Sequence, residues 1–315
     1  MNNMNNIIDT RDSCIQKLIE LGKTDTRIVV LDADVSKSTR TRLFGNEFPD
    51  RFYNVGVTEM NMVSMAAGLA TAGMIPFISS FAVFVVLRAC EPLRTMISYP
   101  GTNVKVLGGY AGLTAHQHGP THHCLRDLSI MRAMPNFAVL SPSDFISTGD
   151  LVEAAKNHKG PVYIRLGYNK QEAIYKNNLK VKIGKIYEIK PGSDVLILST
   201  GLVTLRALKA AEQLKVMNIS AKVIDCPTIK PLPEQDILNE VREIPRVITI
   251  EEHSIIGGFG SAIAELLAQN LSCFKLKIIG INDIFTESAP YEELLDNYGL
   301  SINDIVSEAL KILNN

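Results

Sequence analysis

A single acidic side chain, Glu59, opens an apolar segment that runs to Ala72. The segment is rich in Ser, Ala and Gly, so a helix formed from it can pack closely against its neighbours. A carboxylate in the first turn of a helix is stabilised by the helix dipole. Two interpretations follow from the residues alone: an ordinary helix start at the surface, or a buried acid with a catalytic role.

The loop 108–124 concentrates groups that bind metals or transfer protons. It holds four of the six histidines and one of the five cysteines: His116, His118, His122, His123 and Cys124. A zinc site is one interpretation. It is the weaker one, because two of the histidines are adjacent and no spaced cysteine pair completes a tetrahedral framework. Proton transfer is the better interpretation, since imidazole both donates and accepts a proton near neutral pH.

The elements around these residues follow an α/β pattern. Short β-branched runs alternate with amphipathic or apolar helices, which predicts layers around a mainly parallel sheet. The predicted strands are 27–31, 76–80, 104–108, 137–140 and 162–166, and the predicted helices are 12–21, 59–72, 83–98, 125–132 and 143–157. Parallel sheets bind ligands at the carboxyl ends of their strands. Asp34 and Ser38 follow the first strand, although a loop of this composition is more often a turn or a helix cap.

The chain divides into two units joined by a connector. We predict a first domain over 1–170, a linker over 171–193 with a strand pair near 181–189, and a second domain over 194–315. The second domain has predicted strands at 195–199, 221–225, 247–250 and 276–281, and predicted helices at 203–217, 261–269 and 302–313. Its glycine-rich stretch 257–260 precedes a helix, where a phosphate could bind. The full dinucleotide spacing is missing, so a tight, closely packed turn is the preferred interpretation.

Composition narrows the classes of function. The chain has 315 residues, 46% of them hydrophobic, and a net charge of −1, which gives no support for a nucleic-acid or membrane-surface partner. The polar start lacks the pattern of a signal peptide, and no apolar run reaches the length of a membrane span. The five cysteines are scattered and odd in number, which predicts reduced thiols in a cytoplasmic protein.

Several motifs, taken together, resemble one enzyme family. They are DADVSKST (32–39), GVTEMNM (56–62), FISSFAVF (77–84), HGPTHH (118–123) and EEHSIIGGFGSAIAELL (251–267). Their order and spacing are similar to those of the transketolase family of thiamine-diphosphate enzymes, from about Arg11 to the C-terminus. The resemblance implies an α/β fold: a thiamine-diphosphate-binding (pyrimidine-type) doubly wound domain followed by a transketolase C-terminal-like α/β domain. We expect the second domain to support dimerisation, not chemistry.

The resemblance also implies the cofactor contacts. Glu59 would hydrogen-bond the aminopyrimidine ring of thiamine diphosphate and, when protonated, stabilise its imino tautomer. Phe81, Phe84 and Leu87 would form the wall against which this ring stacks, although their three-residue spacing by itself indicates a core stripe. Leu87 stands where many transketolases have Tyr, so the ring should stack less well there. Asp34 would face the thiazolium side of the cofactor.

Substrate contacts follow from the same resemblance. His122 would hydrogen-bond substrate oxygens near the reacting carbon, as a catalytic residue. Ser38 would contact the acceptor phosphate, and Arg11 would make a second phosphate contact. Without the resemblance, a lone arginine near a terminus is usually a solvated surface residue.

Three positions depart from the family pattern. His118 replaces an Asp that binds a donor-sugar hydroxyl, Tyr110 replaces a His, and Tyr168 replaces the Arg that clamps the sugar phosphate. A Tyr cannot supply the bidentate binding of an anion that a guanidinium gives, and strand alternation points the nearby Arg165 to the other face. We expect these residues to change the sugar tail: a different phosphate placement, a sulfonate, or an uncharged or modified sugar.

One motif of thiamine-diphosphate enzymes is missing from this chain. These enzymes hold the diphosphate and its metal with Gly-Asp-Gly followed by Asn, and no such pair occurs here. The resemblance therefore implies the C-terminal subunit of a split transketolase. A second subunit would carry the Gly-Asp-Gly motif and hold the divalent metal, Mg or Ca, and no metal ligand is assigned to this chain. We expect an α2β2 heterotetramer, and no activity from this chain alone.

The predicted function is transfer of a two-carbon ketol unit from a ketose to an aldose through a thiamine-diphosphate adduct. The ketose would be phosphorylated, or would carry a modified or sulfonated tail. One alternative is the β subunit of a 2-oxo-acid dehydrogenase-type decarboxylase, which shares the fold and the acid but would not carry GPTHH. The other alternative is a noncatalytic scaffold subunit. The replaced contacts favour the scaffold slightly, whereas Glu59 and His122 argue against it.

Overall fold

The computed structural model describes residues 8–175 and 179–314, which form two α/β units. Residues 176–178 of the predicted linker lie outside the described residues, as do 1–7 and 315. The strands of the first unit are β1 (Ile8–Asp9), β2 (Ile28–Asp32), β3 (Phe52–Asn54), β4 (Ile75–Phe81), β5 (Lys105–Gly109), β6 (Ala138–Leu140), β7 (Val162–Arg165) and β8 (Lys170–Gln171). Its helices are α1 (Thr10–Thr24), α2 (Ser36–Thr39), α3 (Arg42–Glu47), α4 (Glu59–Thr71), α5 (Ala82–Leu87), α6 (Cys90–Pro92), α7 (Asp127–Ala133) and α8 (Phe145–Asn157).

The second unit continues the alternation of strands and helices. Its strands are β9 (Tyr187–Lys190), β10 (Val195–Ser199), β11 (Ala221–Asp225), β12 (Thr228–Lys230), β13 (Arg246–Ser254) and β14 (Lys275–Ile281). Its helices are α9 (Thr204–Val216), α10 (Glu234–Glu243), α11 (Phe259–Asn270), α12 (Tyr291–Asn297) and α13 (Ile302–Asn314). Short 3₁₀ turns cover Pro49–Arg51 and Gly201–Val203, and a π-helical turn covers Leu93–Ser98.

Each unit is built on a mainly parallel sheet, which confirms the predicted fold class. The first sheet has seven strands in the order β12-β6-β7-β5-β4-β2-β3, and the second has five in the order β14-β13-β10-β11-β9. β12 and β9 are antiparallel to their neighbours, and the other pairs in both sheets are parallel. The register pairs Asp32 with Ser79 and Phe81 with Gly109. The carboxyl ends of β2, β4 and β5 therefore meet at one edge, where the site residues lie.

Burial explains why these runs form strands and where the helices begin. β2, β4 and β5 are buried along their whole length, as expected for central strands covered by helices on both faces. The sequence Ser-Pro-Ser-Asp at 141–144 predicts a helix start, and Asp144 does cap α8. Its carboxylate accepts a hydrogen bond from the Ser147 backbone N–H, and the Ser147 hydroxyl completes a capping box.

The structure corrects two predicted elements. The single helix expected over 83–98 is broken into α5, α6 and a π-helical turn. Pro92 explains the break, because proline has no N–H for the helical ladder and clashes with the preceding turn. The strand pair expected near 181–189 is wrong as well. Of residues 181–189, only 187–189 lie in a strand, β9, and this strand pairs with β11 of the second unit.

The chain crosses between the units after β11. The next strand, β12, does not join the second sheet. It pairs antiparallel with β6, with Thr228 opposite Leu140, at the edge of the first sheet. One apolar cluster spans both units, because it includes Leu31 and Ile78 of the first sheet together with Ile224 and Phe259. No helix in the described part of the chain has the length and apolar character needed to cross a membrane.

Candidate active site

Glu59 is the first residue of α4, and the segment before it is tied to the end of β2. The Val55 backbone N–H donates to the Asp32 carbonyl at 3.0 Å. The Asn54 amide donates to the Asp34 carboxylate at 2.9 Å, and Asp34, predicted to face the cofactor, is exposed with a φ of 65°. These contacts place Glu59 at the carboxyl-end edge of the first sheet.

The Glu59 carboxylate is buried, and one cation contacts it. Its residue is 4% exposed, and Oε1 accepts a hydrogen bond from Arg88 Nη1 at 3.3 Å. The Arg88 guanidinium also lies 4.1 Å from the centroid of the Phe84 ring. Arg88 was missed as a site residue by the sequence reasoning, although a cation directly after the apolar run 83–87 was a usable signal.

An aromatic wall stands next to Arg88. The Phe81 and Phe84 rings are nearly parallel, with centroids 5.7 Å apart and an interplanar angle of 4°. Tyr110 stacks on Phe81 at 4.2 Å, which extends the wall toward β5. Leu87, predicted as a further part of the wall, ends α5 with 46% of its surface exposed. Phe81 and Tyr110 are buried, so a planar ring could lie against the half-buried Phe84, in the place that the Arg88 guanidinium now takes.

Two of the four clustered histidines face the wall. The His118 and His122 rings are 5.1 Å apart, and the edge of His122 meets Phe84 at 5.2 Å. Thr121 Oγ1 is 2.9 Å from His122 Nδ1. Burial, and then the charges of His118 and Arg88, lower the pKa of His122. His122 is therefore neutral near pH 7, able to accept a proton at one nitrogen and donate from the other.

The other two histidines and the cysteine point elsewhere. His123 Nδ1 is 2.6 Å from the Thr286 hydroxyl of the second unit, and burial lowers its pKa to about 4. His116 stacks toward Tyr168 with ring centroids 6.1 Å apart. Cys124 is buried, which raises the pKa of its thiol. Within residues 8–175 and 179–314, no group of three or more His, Cys, Asp or Glu side chains is arranged to hold a metal ion.

Arg11, Ser38, Tyr110 and Tyr168 come together beyond the wall. The Arg11 guanidinium is buried, and Nη1 donates to the Tyr110 hydroxyl at 2.8 Å and to the Ser38 carbonyl. Its carbon lies 3.9 Å from the centroid of the Tyr168 ring. Asp9, which the sequence reasoning missed, forms an ion pair with Arg11 at 2.7 Å. All four predicted residues are thus neighbours. We call the region between them and Glu59, which includes the aromatic wall and the His118–His122 pair, the cleft.

Tyr110 has a strained backbone. Its φ is 55°, in the left-handed region that a bulky side chain rarely adopts. Such residues persist when the surroundings hold them in place, and they cluster at functional sites. Tyr110 follows β5 directly, so the turn swings its ring back onto Phe81.

Arg165 lies away from this cleft, which agrees with the strand alternation. Its Nε donates to Asp127 at 2.9 Å and its Nη2 donates to the Glu252 carbonyl at 2.7 Å. The guanidinium is 7% exposed and joins the two units. It does not reach the position that Tyr168 occupies.

The glycine-rich turn of the second unit is filled by the chain itself. The Glu251 carboxylate accepts from the backbone N–H groups of Phe259 at 2.6 Å and Gly260 at 2.8 Å, at the start of α11. A Cβ on Gly258 would lie 2.1 Å from Glu251 Oε2. The anion at this helix start is therefore an internal carboxylate, and the tight-turn interpretation describes the geometry.

Comparison with known proteins agrees with this arrangement. The sequence matches the transketolase pyrimidine-binding domain over residues 6–172 and the transketolase C-terminal domain over residues 184–305. It is 44% identical to a putative transketolase C-terminal section of Methanocaldococcus jannaschii, over 94% of this chain and 93% of that protein. It is 38% identical to a 6-deoxy-6-sulfo-D-fructose transketolase subunit of Clostridium sp., over 96% of this chain and 94% of the relative.

One solved structure, of a chain of similar length, supports the same family assignment. A split-gene transketolase, described as an inactive β4 tetramer, has a TM-score of 0.91 and 40% sequence identity. The match covers 98% of this chain and 99% of that chain. The chain therefore belongs to the transketolase family and corresponds to the C-terminal section of a split transketolase.

Proposed function

We propose that this chain is one subunit type of a transketolase-type enzyme that transfers a two-carbon ketol unit from a ketose to an aldose. One observation carries the proposal: a buried carboxyl, Glu59, is linked through Arg88 to the aromatic wall, and this wall also contacts a neutral imidazole, His122. An acid, a ring-binding surface and a proton carrier in one cleft are what this transfer requires of the protein.

The wall and the carboxyl fit the aminopyrimidine half of thiamine diphosphate. Phe81 and Phe84 offer a stacking surface, and Glu59 offers a carboxyl whose contact with the half-exposed Arg88 can be exchanged for a ring nitrogen. When bound, thiamine diphosphate supplies the carbanion stabilisation needed to cleave a bond next to a ketose carbonyl. In this proposal Glu59 holds a proton at the ring nitrogen, and Asp34 lies toward the thiazolium side.

The remaining residues bind and orient the sugar. His122 accepts or donates a proton at the substrate oxygen nearest the reacting carbon. His118, 5.1 Å from His122 between ring centroids, is placed to bind a donor hydroxyl. The sugar tail then extends toward the group formed by Arg11, Ser38, Tyr110 and Tyr168.

A partner subunit completes the site in this proposal. It carries the Gly-Asp-Gly motif and holds the divalent metal and the diphosphate. The surface around Glu59 fits such a partner, because Val57 is 66% exposed, Met60 is 54% exposed and Leu87 is 46% exposed. Exposed apolar groups in one area mark an interaction surface. An α2β2 heterotetramer in the cytoplasm is the assembly that we propose.

Reconstitution tests the proposal. The purified chain is assayed alone and after mixing with the diphosphate-binding subunit, thiamine diphosphate and Mg²⁺, with a panel of ketose donors and aldose acceptors. Ketol transfer by the mixture and none by either chain alone is expected. Turnover by this chain alone would overturn the split-enzyme proposal. Carbon dioxide release from pyruvate would favour a 2-oxo-acid decarboxylase instead, and full activity without Glu59 would favour a scaffold.

A further inference from the structure

The Arg11 guanidinium is engaged almost completely inside the chain. Its Nε and Nη2 donate to the two oxygens of the Asp9 carboxylate, at 3.1 and 2.7 Å. Its Nη1 donates to the Tyr110 hydroxyl at 2.8 Å and to the Ser38 carbonyl. A guanidinium has five N–H groups, so these contacts leave one for a ligand.

Two aromatic rings lie against one side of the guanidinium as well. The Tyr168 ring centroid lies 3.9 Å and the Tyr110 ring centroid 4.8 Å from its carbon. Arg11 is 2% exposed and Asp9 is 1% exposed. Arg11 therefore offers an anion on a sugar tail one N–H group and almost no accessible surface.

The positive charge is also balanced. Burial opposes the charged form of Arg11, but the hydrogen bond and charge of Asp9 raise the pKa of the guanidinium above its ordinary value. The pair therefore presents no net charge to the cleft. The next arginine along this edge, Arg40, pairs with Asp12 at 3.1 Å, so its charge is balanced by α1 too.

The surface that a sugar tail does meet is polar and uncharged. Because the Tyr110 hydroxyl accepts from Arg11, its own O–H remains to donate. The Tyr168 ring is 37% exposed and offers an apolar face with a hydroxyl at its end. Hydroxyl donors and ring faces suit a polyol, whose own hydroxyls both donate and accept.

We propose that this end of the cleft takes the uncharged, hydroxyl-bearing tail of a ketose, not a phosphate or a sulfonate. Asp9 is the positioning residue: it neutralises Arg11 and holds it where it orients the Tyr110 hydroxyl. The inference rests on the proposed function and narrows its substrate class. It also changes the expected role of Arg11, from a phosphate contact to a support for Tyr110.

The test compares a phosphorylated with an unphosphorylated donor in the reconstituted complex. D-Xylulose 5-phosphate and D-xylulose are assayed with the wild type and with Asp9→Asn, which keeps an acceptor oxygen but removes the charge. The wild type should use both donors with kcat/KM values within about tenfold, and Asp9→Asn should shift the ratio about tenfold toward the phosphorylated donor, because a charged hydrogen bond is gained. The shift should appear in KM, since tail binding is common to ground and transition states.

Glu20→Gln is the matched control, because it removes one negative charge from the exposed side of the far half of α1. It should leave the donor ratio unchanged. A wild-type preference for the phosphorylated donor of a hundredfold or more would overturn the inference. An unchanged ratio in Asp9→Asn would overturn it equally.

A binding measurement separates this inference from the proposed function. Sodium sulfate, against sodium chloride at equal ionic strength, should raise the Tm of the Asp9→Asn chain by more than that of the wild type, because the general stabilisation by sulfate is common to both chains. An equal response in both chains overturns the inference, whatever the enzyme assay gives, whereas failure of ketol transfer with every sugar counts against the proposed function. If Asp9→Asn does not fold, Tyr168→Arg is used as the test variant, because it adds a cation next to the intact Arg11–Asp9 pair. It should produce the same two shifts, and their absence overturns the inference.

Discussion

The two sheets end in edges of opposite character. At the carboxyl-end edge of the first sheet, the Glu59 carboxylate has one hydrogen-bond partner among the described residues, and that partner, Arg88, is half-exposed. At the corresponding edge of the second sheet, the carboxylates are fully buried and engaged by the chain. Asp225, which ends β11, accepts from Ser143 at 2.6 Å and Tyr175 at 2.5 Å.

Glu252, within β13, behaves as Asp225 does. Its carboxylate accepts from the Leu113 backbone N–H at 2.5 Å and from the Tyr291 hydroxyl at 2.8 Å. A Cβ on Gly112, whose φ is 66°, would lie 2.4 Å from Glu252 Oε1, so no free volume remains there. An acid near a strand end is therefore not enough to indicate a site. Unused hydrogen-bonding capacity on a carboxylate whose partner is half-exposed is the feature that distinguishes the first edge.

The sharpest way to break this comparison is Glu59→Gln in the reconstituted complex. We expect kcat to fall by about 10²–10⁴-fold, because an amide cannot hold the transferable proton. The free energy of unfolding should change by less than about 1 kcal/mol, since one half-exposed partner is lost. Steady-state kinetics and denaturant titration measure the two effects. Glu47→Gln, an exposed acid at the end of α3, is the control and should alter neither. Retained activity in Glu59→Gln would show that Glu59, like the acids at the edge of the second sheet, has only a structural role.

His122→Ala comes next in expected size. We expect a loss of about 10²-fold in kcat/KM, because proton transfer at the substrate oxygen then depends on water. The low pKa of His122 also predicts that the acidic limb of the pH–rate profile lies below the ordinary imidazole value. His118→Gln removes one charge that lowers the pKa of His122, so the limb should move to higher pH. A limb that does not move in His118→Gln contradicts the pairing of these two rings.

Gly258→Ala tests the closed edge. The added methyl would overlap the Glu251 carboxylate at 2.1 Å and displace it from the start of α11. We expect the chain to lose about 2–3 kcal/mol of stability in denaturant titrations, as when a buried hydrogen-bonded network is broken. Gly68→Ala is the matched control, because its Cβ would meet nothing within 4 Å and the position is helical. It should stabilise the isolated chain by about 0.5–1 kcal/mol. Equal effects of the two changes would argue against a filled edge.

Asp225→Asn gives the smallest expected effect and tests the closed edge through pH. Burial raises the pKa of Asp225 to about 7, so the folded chain holds this proton between about pH 4 and pH 7, where the unfolded chain has released it. The stabilising contribution of Asp225 is therefore largest at low pH and is lost as pH rises through 7. Between pH 5 and pH 8 this proton contributes about 2 kcal/mol to the free energy of unfolding.

The measurement is the difference in unfolding free energy between pH 5 and pH 8. Asp225→Asn should flatten that dependence by the same amount, because an amide does not titrate in this range. Asp236→Asn removes an exposed acid and serves as the control, with no change expected. A slope in Asp225→Asn equal to that of the wild type would contradict the role of burial at this position.

Much of the fold was predictable because its signals are local. α4 and β11 have strong apolar or β-branched runs, and the structure gives them close to the predicted bounds. Three-residue strands carry no such signal. β12, with the sequence Thr-Ile-Lys, is defined by the partner that it reaches across the molecule.

The candidate site divides in the same way. Glu59 and His122 lie in motifs that can be read along the chain, and the structure brings both to one cleft. The contacts of Asp9 and Arg88 cannot be predicted from the spacing of residues along the chain. Asp9 precedes Arg11 by two residues at a helix start, and Arg88, at the end of α5, contacts Glu59 of α4. Such partners depend on side-chain direction in three dimensions, which sequence patterns do not encode.

The strand that leaves its own unit has a consequence for how the molecule melts. β12 is the edge strand of the first sheet, whereas β11 and β13, which precede and follow it along the chain, belong to the second sheet. Unfolding of either unit would therefore expose part of the other. The chain should accordingly denature in a single cooperative step, and cutting it near the connector should yield two fragments that do not stand alone.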